Sequence, residues 1–97
     1  MNIEILHMID GAKQAKGITV IIDVFRAFSV EAYFFASGVE EIIPVGDVNL
    51  AYKLKEENPD CILAGERKGK ILPGFDVGNC PSDLVKLDCA GKRVVHL

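Results

Sequence analysis

Cysteine is sparse in this sequence and unpaired by spacing: Cys61, Cys80 and Cys89 are an odd set of three with no C-x-x-C pair. That pattern argues against a disulfide framework and against a structural zinc site. Cys61 lies in an apolar stretch and is expected to be an inert core thiol. An excess of basic charge is missing too. Eleven Lys and Arg against fourteen Asp and Glu leave a dispersed net charge of −3, which argues against a nucleic-acid surface. No apolar run reaches the roughly 18 residues of a membrane span, and no charged-then-apolar leader opens the chain. A soluble, cytoplasmic protein with no membrane partner is therefore expected. Repeats, low-complexity tracts and linkers are absent. Neither G-x-x-x-x-G-K-[ST] nor a post-strand G-x-G-x-x-G occurs, so an ordinary nucleotide-binding loop is unsupported.

What is present reads as one folded domain. The 97 residues are 49% apolar and 26% charged, near the lower size for a self-sufficient core. Ile18, Thr19, Val20, Ile21 and Ile22 are β-branched without a break, the composition of a strand covered on both faces, and they predict a central strand over Ile18–Asp23. A weaker period of two suggests a strand over Asn2–Met8. Ile9–Lys16 reads as a short polar link with some helical character, ended by Gly17. Val30, Tyr33, Phe34 and Ser37 fall on one helical face, with Ser29 as N-cap and Gly38 as stop. Strand signals follow at Glu41–Val45, Cys61–Ala64 and Arg93–Leu97. Helix signals lie at Asp47–Glu57 and from Pro81 to about Leu87, with a glycine-rich loop over Lys68–Asn79. The alternation predicts a doubly wound α/β fold: a mainly parallel sheet with helices on both faces. The last strand signal runs to the final residue, so a fragment of a longer protein is expected.

In such sheets ligands gather beyond the carboxyl ends of the strands. Polar residues concentrate at strand ends or in the glycine loop in three clusters: Asp23 with Arg26 and Ser29, Glu66 with Arg67, and Asp76 with Asn79. Asp23, Glu66 and Asp76 are hard oxygen donors suited to magnesium, which takes one or two carboxylates and keeps waters or substrate oxygens. Arg26 and Arg67 suit bidentate binding of a phosphate or sulfonate. Each cluster also has a plainer reading: Asp23 and Arg26 capping the next helix, Glu66–Arg67 as a surface pair, and the glycine loop as a turn. The convergence of separate strand ends favours function. Cys80 sits before a helix start, where a thiolate is stabilised. No histidine is placed to serve it, so a small, partly buried residue is the expected role.

DVFRAFS at Asp23–Ser29 and AGERKGKILPGFDVGNCP at Ala64–Pro81, at this separation, resemble the 2-phosphosulfolactate phosphatase family. Phe28 stands where members often carry threonine, and Cys80 where serine is common. The resemblance covers the chain as the first half of a protein built from two similar α/β halves. It implies a magnesium-dependent phosphomonoesterase that converts 2-phosphosulfolactate to 3-sulfolactate and phosphate, a step toward coenzyme M. Carried over, Asp23, Arg26, Glu66 and Arg67 are the catalytic candidates. Arg26, Ser29, Arg67 and Asn79 are the substrate-binding candidates, and Asp23, Glu66 and Asp76 the Mg2+ ligands. The alternative is a non-catalytic module binding an anionic metabolite or a partner subunit. A half standing alone exposes apolar surface, so a homo-oligomer is expected.

Overall fold

The computed structural model describes all 97 residues. Its central element is the strand Arg93–His96 (β5), flanked in parallel by Glu41–Pro44 (β1) and Ile62–Ala64 (β2) in the order β1-β5-β2. The register is Ile42, Val94 and Ile62 across one row, then Ile43, Val95 and Leu63, then Pro44, His96 and Ala64. Side chains alternate along a strand, so neighbours on β5 enter different clusters. Val94 packs with Val30 and Phe34 of Ala27–Ala36 (α2), with Leu84 of the 3₁₀ helix Pro81–Lys86, and with Ile62, Ala64, Val77 and Cys89. Val95 packs with Ala51 of Val48–Glu57 (α3), and with Cys61, Leu63 and Phe75. The class is α/β with a mostly parallel sheet. None of its helices is long and apolar enough to cross a membrane.

Local chemistry explains most boundaries. The Asp47 carboxylate accepts from the Asn49 amide at 2.8 Å and starts α3, as its sequence predicts. Gly38, at φ +90°, ends α2. Lys68 and Gly69, both at positive φ, form a two-residue turn joining Glu66–Arg67 (β3) to Lys70–Ile71 (β4) as an antiparallel hairpin. The first part of the expected glycine loop is therefore a hairpin. The rest lies against α3 and β2: the Tyr52 hydroxyl donates to Pro73 O at 2.6 Å, the Tyr52 ring meets Phe75 edge-on, and Val77 forms a parallel bridge with Ala64.

The amino-terminal third departs from expectation. Asn2–Met8 is not a strand; a short helix, Met8–Lys13 (α1), begins at its end. Ile18–Asp23 is not a strand either, and Ile18, Val20, Ile21 and Ile22 are exposed. The reason is pairing. β-Branched composition favours a pleated, covered surface, but a strand is held by a ladder, and no backbone hydrogen bond joins this run to β1, β2 or β5. The exposed segment also gives a radius of gyration of 14.6 Å, above the ~12.5 Å expected for this length. Three smaller differences concern helix type and caps. Pro81–Lys86 is 3₁₀ rather than α. Helix α2 starts at Ala27, two residues before the expected cap, and the Ser29 hydroxyl donates to Val24 O at 2.7 Å instead of capping.

Phe34 of α2 is fully buried in the cluster with Val94 and Leu84, whereas Val85 on the 3₁₀ helix is exposed. Phe34→Ala is expected to lower stability by about 3–5 kcal/mol, and Val85→Ala to stay within ~0.5 kcal/mol of wild type. Urea unfolding midpoints check both.

Candidate active site

Because β1, β5 and β2 are parallel, their carboxyl ends share one edge, where Pro44, His96 and Ala64 stand abreast. Gly65 turns the chain out of β2 at φ +139°, and a Cβ there would lie 2.9 Å from both Leu97 Cβ and Leu97 O. Only glycine passes the end of β5 this closely. The next residue, Glu66, is thereby set over the edge.

A continuous polar chain runs from the core to this edge. The Glu31 carboxylate on α2 lies 2.7 Å from His96 Nδ1, and His96 Nε2 lies 2.8 Å from Asn79 Oδ1. The Asn79 backbone N–H donates to Glu66 Oε1 at 2.8 Å. Arg26 Nη2 donates to both Glu66 oxygens, at 3.1 and 3.2 Å. The chain is most buried at its middle: the side chains are 24% exposed at Glu31, 3% at His96, 13% at Glu66 and 47% at Arg26. Gly78 makes the room, since a Cβ there would stand 2.6 Å from Glu66 Oε1. Arg67 is tied elsewhere: Nη2 donates to Gly46 O at 3.2 Å and Nη1 to Glu66 O at 3.3 Å, bracing the loop after β1.

The candidates thus divide. Arg26, Glu66 and Asn79 are joined directly, and Arg67 adjoins Glu66. Asp23 instead accepts from the Phe28 amide at 3.1 Å, so it serves as the side-chain cap of α2, and Ser29 is turned back to its own loop. Asp76 accepts from the Leu63 amide at 2.8 Å and faces Lys55 Nζ at 3.9 Å, which fixes the glycine loop to β2. The expected ligand set Asp23, Glu66 and Asp76 is therefore not one site, and no group of three His, Cys, Asp or Glu is arranged to hold a metal. Of those three carboxylates only Glu66 bonds to Arg26 and Asn79. Sequence reading passed over Glu31 and His96. The available signals were a lone carboxylate in an otherwise apolar helix, AFSVEAYFFA, and a histidine at the end of a strand.

Two surface depressions lie away from this edge. One is beside Glu40, Asn58 and Lys92, and the other between α2 and the 3₁₀ helix at Tyr33, Ser37 and Leu84.

The sequence profile of 2-phosphosulpholactate phosphatase matches residues 4–97. This chain belongs to the 2-phosphosulfolactate phosphatase family. A Bacillus subtilis protein named "Probable 2-phosphosulfolactate phosphatase" is 38% identical over 79 residues, covering 81% of this chain and 35% of that protein. Proteins of the same name from Carboxydothermus hydrogenoformans and Clostridium tetani are 36% and 38% identical, each covering 98% of this chain, and 40% and 42% of their own lengths. The chain thus spans well under half the length of these phosphatase-family relatives. Its family resemblance, read from the DVFRAFS and GER…PGFDVGN motifs, is borne out.

Burial pushes the Cys61 and Cys89 thiols above their ordinary pKa; Lys55 opposes this at Cys61, and Asp76 and Asp60 add to it. Cys80 is half-buried, with Sγ 3.0 Å from Ser82 Oγ. The raised pKa leaves less thiolate at Cys61 and Cys89 at any pH below it. Iodoacetamide at pH 8 is expected to label Cys80 first, and peptide mass mapping checks the order. Equal labelling of all three would contradict it.

Proposed function

We propose that this chain is the amino-terminal half of a cytoplasmic, magnesium-dependent phosphatase that hydrolyses 2-phosphosulfolactate to 3-sulfolactate and phosphate. The observation that carries this reading is the Arg26–Glu66 pair at the carboxyl edge of the parallel sheet. Only Nη2 of Arg26 is used by the protein. A guanidinium has five N–H donors, so Nη1 and Nε remain for a phosphate or sulfonate oxygen, and the half-exposed side chain is within a ligand's reach. As charge builds on the phosphoryl oxygens, a preplaced cation stabilises it more than water does. Glu66 orients that cation and keeps it from collapsing onto the surface. Asn79 holds Glu66 through its backbone amide, and Arg67 fixes the neighbouring loop.

The donor chemistry narrows the metal proposal. Asp23 and Asp76 each accept a backbone amide through one oxygen, and Glu66 accepts from the Asn79 amide and Arg26 through both. Any of the three would therefore reach magnesium only singly, with substrate oxygens and water completing the shell. When bound, magnesium polarises a phosphoryl oxygen and orients the attacking water. The finer fold proposal is the doubly wound sheet. It is supported by the separate packing of α2 against Val94 and of α3 against Val95.

Phosphate release from 2-phosphosulfolactate tests the reading. Release is expected with magnesium and not with chelator, falling about 10²–10³-fold in Arg26→Ala and not restored by Arg26→Lys, which lacks the fork. Asp23→Asn, which keeps a capping oxygen, is expected to retain activity within a few-fold. Anion binding without turnover, indifferent to magnesium, would favour the non-catalytic alternative.

We also propose self-association of the isolated chain. Ile18, Val20, Ile21, Ile22, Val24 and Phe25 expose a contiguous apolar run. Sedimentation velocity is expected to show a dimer or larger species, and a strict monomer at micromolar concentration would contradict this.

A further inference from the structure

The Glu31–His96 pair is poorly explained by stability. His96 ends the central strand, has β1 and β2 on either side, and its own carbonyl accepts from the Val45 amide at 2.8 Å. Burying an imidazole beside a carboxylate carries a desolvation cost, and well-packed apolar side chains at such sites are often at least as stable. The pair's geometry points outward instead. The Glu31 carboxylate and the Asn79 Oδ1 both only accept, so in this geometry each ring nitrogen donates: Nδ1–H to Glu31 and Nε2–H to Asn79 Oδ1. Asn79 is then gripped by its side chain on the core side while its backbone N–H holds Glu66 on the other.

We propose that Glu31 and His96 are positioning residues: they lock Asn79, and through it the Glu66–Arg26 pair that receives the anion. The polar chain transmits the rigidity of β5 to a half-exposed arginine that has no other anchor in the protein. The catalytic consequence rests on the phosphatase reading above; the structural coupling does not.

Two readouts separate them. Nitrogen-15 spectra of the full chain report the His96 Nδ1–H, the Asn79 amide and the Arg26 Nε–H, with the Val94 and Val95 amides as a fold control. In His96→Leu, Asn79 amide exchange is expected to quicken at least about tenfold and the Arg26 Nε–H to shift, while Val94 and Val95 stay protected. If Val94 and Val95 lose protection, Glu31→Leu decides, because the helix around Glu31 is already apolar. It is expected to remove the slowly exchanging His96 Nδ1–H and to quicken Asn79. Unmoved Asn79 and Arg26 signals in the folded variant would overturn the proposal. The second readout is turnover, expected to fall about 10–100-fold in His96→Leu with partial recovery in His96→Gln. If the wild-type chain, as half of the phosphatase, releases no phosphate, the spectra alone decide the coupling. Active wild type with unchanged turnover in folded His96→Leu would overturn the positioning role.

Discussion

The pairing of β5 between β1 and β2 is the constraint on which the rest depends. Val94 and Val95 are buried on successive positions of that strand, and each is met by its own cluster. Fixing four residues of β5 therefore fixes α2 through one set of contacts and α3 through the other. It also aligns three strand ends on one edge, where the backbone leaves β2 through Gly65 close against Leu97. The family's chemistry, as read here, is a consequence of that edge.

Two ion pairs, at opposite ends of the sheet, differ in strength. The exposed Arg93–Glu41 ion pair, at 2.7 Å, links neighbouring strands but is screened by water and contributes little. The Arg26–Glu66 pair has one partner largely buried and is backed by a backbone N–H, so it is held in one geometry. Close approach is what allows this. Gly78 leaves space for the Glu66 carboxylate, and Gly65 lets the chain pass the end of β5. Side chains at either position would force apart the groups that the polar chain joins. A glycine-rich sequence that looks like a flexible loop is here a closely fitted one.

Much of this was legible in the sequence, and the failures share a cause. Period and caps located α2, α3, β1, β2 and β5 to within a residue or two, because those signals are local: an Asp47 cap, a Gly38 stop, short apolar runs. Ile18–Asp23 has strand composition on the same local grounds, yet the run has no ladder partner here and its isoleucines and Val20 stay exposed. Composition records what a segment is fit for; pairing is a property of the rest of the fold. The site shows the same division. Arg26, Glu66 and Asn79 were found because polar residues at strand ends are conspicuous. Asp23 and Asp76 share that appearance but bond the Phe28 and Leu63 amides and take no part in the Arg26–Glu66–Asn79 chain. Glu31 and His96 are far apart in sequence, and their pairing emerges only when α2 packs on β5.

The central claim is that Arg26, held by Glu66, is the anion-binding group of this edge. Calorimetric titration of inorganic phosphate into wild type and Arg26→Ala tests it without requiring turnover. The account predicts that removing the guanidinium weakens phosphate binding by at least about tenfold, some 1.4 kcal/mol. Equal affinity in the two proteins would contradict it and move the anion site away from the carboxyl edge of the sheet.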